Sequence, residues 1–252
     1  MRHTQLILVA IAAITATFTL NAQEQPAKQG DDLYRAADYA AAISAYEDVL
    51  AQGKESADLY YNLGNAYYRE GQYARAILNY ERALRLKPNM HDAKENLDLA
   101  NSQTIDRITP LPQLMVTRWY KHLTTHITPA AWQIVWLVLL AAVCMALIAI
   151  RIGNNMHQKK IGLYAGIVML VLLIAATVFM TASASHYSSH DDAIVIEPAI
   201  SIKSSPEVQS TDKLILHEGT KVHIIESLTD WYRVSIADGT TGWCEASAIE
   251  QI

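Results

Sequence analysis

Along residues 27–106, apolar and small positions recur at an offset of 34, the period of a helix-turn-helix repeat. Two stretches then lose the polar half of the pattern. Residues 130–150 and 161–184 contain no charge, and each is long enough to cross a hydrocarbon core of ~30 Å as a helix. From Ala193 onward the period changes to two. Strands are expected at residues 194–196, 199–203, 213–216, 221–226, 231–236 and 242–244. Between them fall the turn signals Glu218-Gly219, Thr229-Asp230 and Asp238-Gly239, the last a two-residue hairpin turn. The pattern predicts a multidomain membrane protein: an all-α part, a two-helix transmembrane hairpin, and a small all-β barrel over residues 193–252.

Residues 1–22 start with Arg2 and His3, run apolar from Leu6 to Leu20, and end at Asn21-Ala22-Gln23. This is the pattern of a secretory signal peptide; an uncleaved anchor is the alternative, and either exports the segment downstream of it. The connection between the two spans, residues 151–160, carries Arg151, Lys159 and Lys160 and no acid, which places it in the cytoplasm. Arg118 and Lys121, before the first span, argue the other way. The exporting N-terminus decides between them, so both soluble parts are expected outside the cytoplasm on one face. Within residues 110–129, Leu114, Met115, Arg118, Trp119, Leu123 and Ile127 recur near helical spacing, and Trp119, Trp132 and Trp136 suit the membrane–water belt. A short helix on the membrane surface is expected there, a plain juxtamembrane linker being the alternative. Residues 185–192 read as a polar linker.

The soluble N-terminal part repeats itself. Gly30 aligns with Gly64, Tyr39 with Tyr73, Ala42 with Ala76, Ile43 with Ile77, Tyr46 with Tyr80 and Leu50 with Leu84, each 34 residues apart. The second copy carries Tyr60, Leu63, Gly64 and Tyr67, then Ala76, Tyr80, Ala83 and Pro88, and resembles the tetratricopeptide repeat along its whole length. Small residues at Gly64 and Ala76 let paired helices approach, while Leu63, Tyr67, Tyr80 and Leu84 fill the space between repeats. A third copy gives one helix, with Ala93, Asn96, Leu97 and Ala100, expected to cap the array over residues 27–106. The resemblance implies a concave peptide-binding groove. Its positions here are Asp31, Asp58, Tyr61, Asn65, Tyr68 and Arg69; the alternative for the tyrosines is that they simply pack. Asp31, Glu95 and Leu99 stand where capture of a C-terminal carboxylate would need basic or amide groups. So short an array predicts that a partner, or a second copy of the protein, covers part of it.

In the C-terminal part Leu216, Glu218-Gly219, Val222, Trp231, Val234, Asp238-Gly239, Gly242-Trp243 and Ile249 resemble bacterial SH3 domains, with Lys203 in place of the arginine usual in the first loop. The resemblance implies a role in binding protein or cell-wall peptides. Trp231, Tyr232 and Trp243 are the candidate contacts, a core or rim position being the alternative for each. Signal, repeats, hairpin and SH3 domain in this order, with the stretch PLPQLMVTRWY before the first span, resemble the BatE-type proteins of the Bacteroides aerotolerance operon. That resemblance implies a bacterial inner membrane, periplasmic soluble domains, and partners among other Bat membrane proteins, including those with von Willebrand A domains, and a MoxR-type ATPase.

Composition narrows the chemistry further. The net charge of −5, with 25 acids against 20 bases, provides no clustered basic face, so no nucleic-acid partner is expected. Cys144 and Cys244 lack metal or redox spacing, and Cys244 is expected to pack inward. His122 and His126 lack a third ligand, and no catalytic G-x-S-x-G, H-E-x-x-H or phosphate-binding loop occurs. The expectation is a non-enzymatic scaffold without metal or cofactor, touching lipid and protein partners. A peptidoglycan-binding sensor is the competing reading.

Overall fold

The computed structural model describes residues 27–109, 111–112, 114–125, 127–152, 155–189 and 191–252. The signal expected over residues 1–22, and His126, therefore lie outside the described residues. The chain divides into two compact units: the segment up to Pro110 together with His190–Ile252, and Leu111–Ser189.

In the first unit five helices form two helix pairs and a cap. Residues 27–35 (α1) pair with Tyr39–Ala51 (α2), Ala57–Arg69 (α3) pairs with Tyr73–Leu86 (α4), and His91–Asn101 (α5) covers the end. Asp38 caps α2 by accepting from the Ala41 amide, and Ser56 caps α3 by accepting from Leu59 at 3.1 Å. Gly71, with φ +77°, turns the chain out of α3. The cap buries Ala93, Leu97 and Ala100, the small-and-large set expected from the third copy.

Close approach within a pair depends on the repeated glycine. A Cβ at Gly64 would lie 2.7 Å from Cε1 of Tyr80, and one at Gly30 would strike the equivalent ring of Tyr46. Both rings are 1% exposed. Each glycine thus makes a slot for the tyrosine that comes after it in the second helix.

The C-terminal part of this unit is antiparallel throughout. Its strands are β1 (Asp192–Val195), β2 (Ala199–Lys203), β3 (Asp212–His217), β4 (Lys221–Leu228), β5 (Trp231–Ser235), β6 (Thr241–Glu245) and β7 (Ile249–Gln251). Their order is β3-β2-β6-β5-β4-β1-β7. An irregularity between Ile224 and Glu226 lets β4 pair with β1 at one end and β5 at the other. All seven strands, with Ala248 of the intervening turn, wrap one core that includes Val195, Ile202, Leu216, Val222, Val234, Cys244 and Ile249. Burial pushes the Cys244 thiol up to about 12, aided by the charge of Glu245, so it stays protonated and packs as a small apolar group.

Helices and sheet are fused through β1. Ala193 and Val195 join the sheet core, whereas Ile194, on the opposite face, joins Ile77, Leu78 and Tyr80 in the helical core. Ile252 enters the same helical cluster. Gly219, with φ +86°, sits so close that a Cβ there would lie 2.6 Å from Thr104 and 3.1 Å from Ile77. The seam is edged by charge. Lys221 bonds Glu81 of α4 at 2.9 Å and Asp192 at 3.3 Å; burial opposes its charge, but the two carboxylates prevail and raise its pKa. Arg82 donates to Glu250 at 3.0 Å and to the Gln251 carbonyl at 2.6 Å, and Arg85 donates to the Ile252 carbonyl. Past α5, Asp106 accepts from the His217 amide, the His217 ring and the Thr220 hydroxyl at 2.7–2.8 Å.

The second unit consists of α6 (Met115–Thr125), α7 (Pro129–Ile152) and α8 (Met156–Ser188). At 1.5 Å per residue, α7 is about 36 Å long and α8 about 50 Å. Both are long and apolar enough to cross a membrane. Their outward side chains, such as Leu137, Val138, Ile167 and Val171, are half or more exposed. Among the described residues, those buried where they pack are small, such as Ala146, Gly162 and Ala176. Polar anchors are local. Trp136 donates to Thr177 at 3.1 Å, Ser183 to the Ile127 carbonyl at 2.9 Å, and Phe179 stacks on Trp132 with ring centroids 5.2 Å apart. The connection expected over residues 151–160 is shorter, because Arg151 and Ile152 finish α7 and residues 156–160 open α8. Likewise residues 185–188, expected as linker, continue α8. His157, Gln158, Lys159 and Lys160 tolerate helix, and a polar end does not stop one when no proline or glycine intervenes. Within residues 110–129 the chain forms one helix, α6, with Met115, Val116 and Trp119 exposed.

Two outcomes are expected from this packing. Gly64→Ala forces Tyr80 out of its slot and destabilises the solubilised protein by about 1–3 kcal/mol in a denaturant titration. Asp106→Ala leaves the buried donors of His217 and Thr220 unmet, at a cost of about 1–3 kcal/mol. Burial would raise the Asp106 pKa, but the bonds from His217 and Thr220 outweigh it and the net shift is downward. A depressed folded pKa means that this stabilisation is whole above the ordinary carboxylate value of about 3.9 and is lost as pH falls through the lower folded value. Hydrogen exchange at the His217 amide should accelerate across that acidic window in the native chain, and should be fast without that pH dependence in Asp106→Ala.

Candidate partner-binding surfaces

The groove positions divide into ties and open contacts. Asp31 accepts from the Tyr46 hydroxyl at 2.7 Å and from Asn62 at 3.1 Å. One repeat later, Asn65 accepts from the Tyr80 hydroxyl at 2.8 Å and from Asn96 at 2.8 Å. Every member of the second trio stands 34 residues after its counterpart in the first. Burial raises the pKa of Tyr46 and of Tyr80 above the usual phenol range, with Asp31 adding to the effect on Tyr46, so both hydroxyls remain donors. Asp31 and Asn65 thus bind successive helices together.

Arg69 is held as well, donating to the Tyr39 hydroxyl at 3.0 and 3.2 Å with its guanidinium 5.3 Å from that ring's centroid. Asp58 is exposed and lies 4.0 Å from Lys87, a solvated pair of little strength. The open contacts are aromatic. Tyr61 and Tyr68 are half-buried, Tyr61 tilted against Tyr80 at 6.1 Å and Tyr68 edge-on to Tyr73 at 5.4 Å. Tyr34 repeats the second arrangement against Tyr39 at 5.2 Å. Three half-buried tyrosines, each against a neighbouring ring, offer apolar faces with hydroxyls at their rims, suited to a peptide with apolar side chains. Tyr34, Asn62 and Asn96 are not among the groove positions that the sequence picks out; the offset of 34 from Tyr68 and between the two asparagines is the signal that finds them.

On the sheet, register separates the three aromatic candidates. Trp231 stands opposite Glu245, and Arg233 opposite Trp243, so both tryptophans share the outer face. Leu228, opposite Trp231 on β4, extends that face and is 49% exposed. Tyr232 stands opposite Cys244 and packs on the sheet core. Arg233 pairs with Glu226 at 3.6 Å beside the tryptophans. The outer face is therefore two half-exposed indoles and a leucine, with charges at the edge. It can stack on a flat apolar or sugar-like surface and hydrogen-bond around it.

Comparison with known families agrees with this division. Residues 27–91 match the tetratricopeptide repeat, and residues 199–250 match the bacterial SH3 domain. A comparison with curated proteins yields no match. The chain thus combines a tetratricopeptide-repeat region and a bacterial SH3 domain with two helices able to span a membrane.

Proposed function

We infer that this chain is a membrane-anchored scaffold without a reaction of its own. It binds protein partners through the tyrosine-lined groove and through the outer face of its SH3 domain. The observation that carries this reading is the seam. Residues before the hairpin and residues after it share one core, through Ile194 and Ile252 packed with Ile77 and Leu78. Segments that share a core share a compartment, so the pair α7–α8 must return the chain to the side it left. The cationic connection between α7 and α8 then favours the cytoplasm, and the periplasm for both soluble modules. The order of parts supports membership of a Bat-type envelope assembly linked to aerotolerance, with other Bat membrane proteins as the bound partners.

A second reading rests on Trp231 and Trp243. Their shared outer face suits stacking on peptidoglycan, which would make the chain a sensor of the cell wall.

Protease added to intact spheroplasts is expected to digest the repeats and the SH3 domain alike; protection of either would refute the shared compartment. A photo-crosslinker at Tyr68 is expected to capture a stoichiometric membrane partner that Tyr61→Ala with Tyr34→Ala weakens by about tenfold, or about 1.4 kcal/mol. Retention of the solubilised protein on purified sacculi, lost in Trp231→Ala with Trp243→Ala, would favour the wall-binding reading instead.

A further inference from the structure

Just before α7, the chain lays α6 against the end of the helical pair where α7 starts and α8 finishes. Tyr120 and Trp119 meet Phe179 of α8 with ring centroids 5.8 and 6.1 Å apart, and the indole of Trp132 donates to the Leu123 carbonyl at 3.2 Å. Thr124 is buried there, its hydroxyl turned back to the Tyr120 and Lys121 carbonyls at 3.1 Å. Beside this packed side runs an open one. Met115, Val116 and Trp119 fall within an arc of about 100° on the helix, and all three are more than half exposed. Arg118 and Lys121 are exposed on the far side.

Depth and charge bear on what covers that open side. Phe179 stands six residues before Ser185, where the apolar stretch of α8 ends, so α6 touches the pair about 9 Å inside that end. A helix lying flat on a bilayer buries its apolar side about 5–10 Å into the boundary between headgroups and acyl chains. Charge is segregated along the sequence. Residues 107–190 contain no Asp or Glu, and all 25 acids lie outside them. Within the unit Leu111–Ser189, therefore, Arg118 and Lys121 meet no carboxylate.

We propose that α6 is a docking surface for anionic phospholipid: acyl chains cover Met115, Val116 and Trp119, and the phosphates of the same molecules accept from Arg118 and Lys121. This lipid preference rests on the membrane-anchored reading and adds to it. A phospholipid carries an apolar tail and an anionic phosphate one after the other along its length, the order in which α6 presents its open arc and its cations. A zwitterionic lipid fits the arc equally well but brings an ammonium towards the cations, so a headgroup of net negative charge is selected. Each basic side chain near a bilayer surface favours anionic lipid by about fivefold.

The test uses the full chain reconstituted in vesicles of phosphatidylcholine and phosphatidylglycerol in equal amounts. A photo-crosslinker replaces Val116 or, separately, the exposed Val138 of α7, and mass spectrometry identifies the adducts. The Val116 position is expected to capture phosphatidylglycerol about fivefold or more over phosphatidylcholine. The Val138 position reports insertion through lipid adducts of either kind. Arg118→Gln with Lys121→Gln should bring the Val116 ratio towards one and leave the Val138 adducts unchanged, and salt at about 1 M should lower the ratio in the native sequence. That salt dependence decides the matter if the double variant fails to insert. Lipid adducts at Val138 with none at Val116, equal capture of the two lipids at Val116, or a ratio that the inserted double variant leaves unchanged would each overturn the proposal and leave the anchor standing. In native membranes, a protein adduct at Val116 in place of lipid would also overturn it, by making this side of α6 an interface with a partner. Lipid adducts at neither position would remove the membrane anchor, and the proposal with it.

Discussion

Ile194 is the side chain on which the two soluble parts of this chain meet. A strand with period two normally has one face to bury, but β1 has two: Ala193 and Val195 fill the sheet core, and Ile194, 0% exposed, fills the helical one. Neither module could expose that residue to water without an apolar hole beside α4. Burying an isoleucine is worth about 1.5–3 kcal/mol, and Ile252 adds a second anchor to the same cluster. The charged groups around the seam then fix its register more than its strength. Lys221 bridges Glu81 and Asp192, and Arg82 reads both the side chain of Glu250 and the backbone of β7. Because Arg82 and Arg85 hold carbonyls of the terminal strand, that sheet edge is covered rather than offered to another chain.

A similar division of labour governs the groove. Its shape is set by a trio repeated with the fold itself: glycine slot, tyrosine ring, and amide or carboxylate receiving the hydroxyl. The trio ties the first helix of each repeat to its own second helix and, through Asn62 or Asn96, to the next first helix. Residues at groove positions are therefore divided between holding helices and meeting ligands. Asp31, Asn65 and Arg69 hold; Tyr34, Tyr61 and Tyr68 remain half-open. A surface made of aromatic rings already packed on neighbouring rings loses little entropy when a partner arrives.

How much the sequence discloses depends on the range of the forces involved. The helices, their caps and the repeat are set within one period, so the spacing of Gly30, Gly64, Tyr46 and Tyr80 is enough to find them. The two long apolar helices are equally plain, since each contains an uncharged stretch of some twenty residues. The ends of those helices are less so: Arg151, residues 157–160 and residues 185–188 are polar yet helical, because polarity marks where the apolar stretch stops and not where helix stops. Period two places six of the seven strands to within a residue or two and misses β7, whose three residues are too few to show the period, but the partition of Trp231 and Trp243 from Tyr232 needs the register of β5 against β6. Most hidden is the seam. Nothing in the run Ile194-Val195-Ile196 distinguishes a strand buried on two faces by its own sheet and a neighbouring domain from one buried by its own sheet alone, and Asp106 reads as an ordinary linker acid until His217 and Thr220 are brought to it.

The seam is small for two independent proteins, and it does not need to be large. Association of free partners must overcome several kcal/mol of lost translational and rotational freedom, whereas tethered partners meet at an effective concentration in the millimolar range. The hairpin acts as that tether. Ser183, near the end of α8, donates to the carbonyl of Ile127, just before α7, so the two points where the chain leaves the helical pair lie side by side. Parts tethered at adjacent points have less volume to explore apart than free ones. The pairing of α7 with α8 therefore contributes to the association of the two modules although no residue of the seam belongs to it. The order of segments, with the helical pair between the modules instead of at one end, then adds to what the contacts at Ile194 and Asp106 supply.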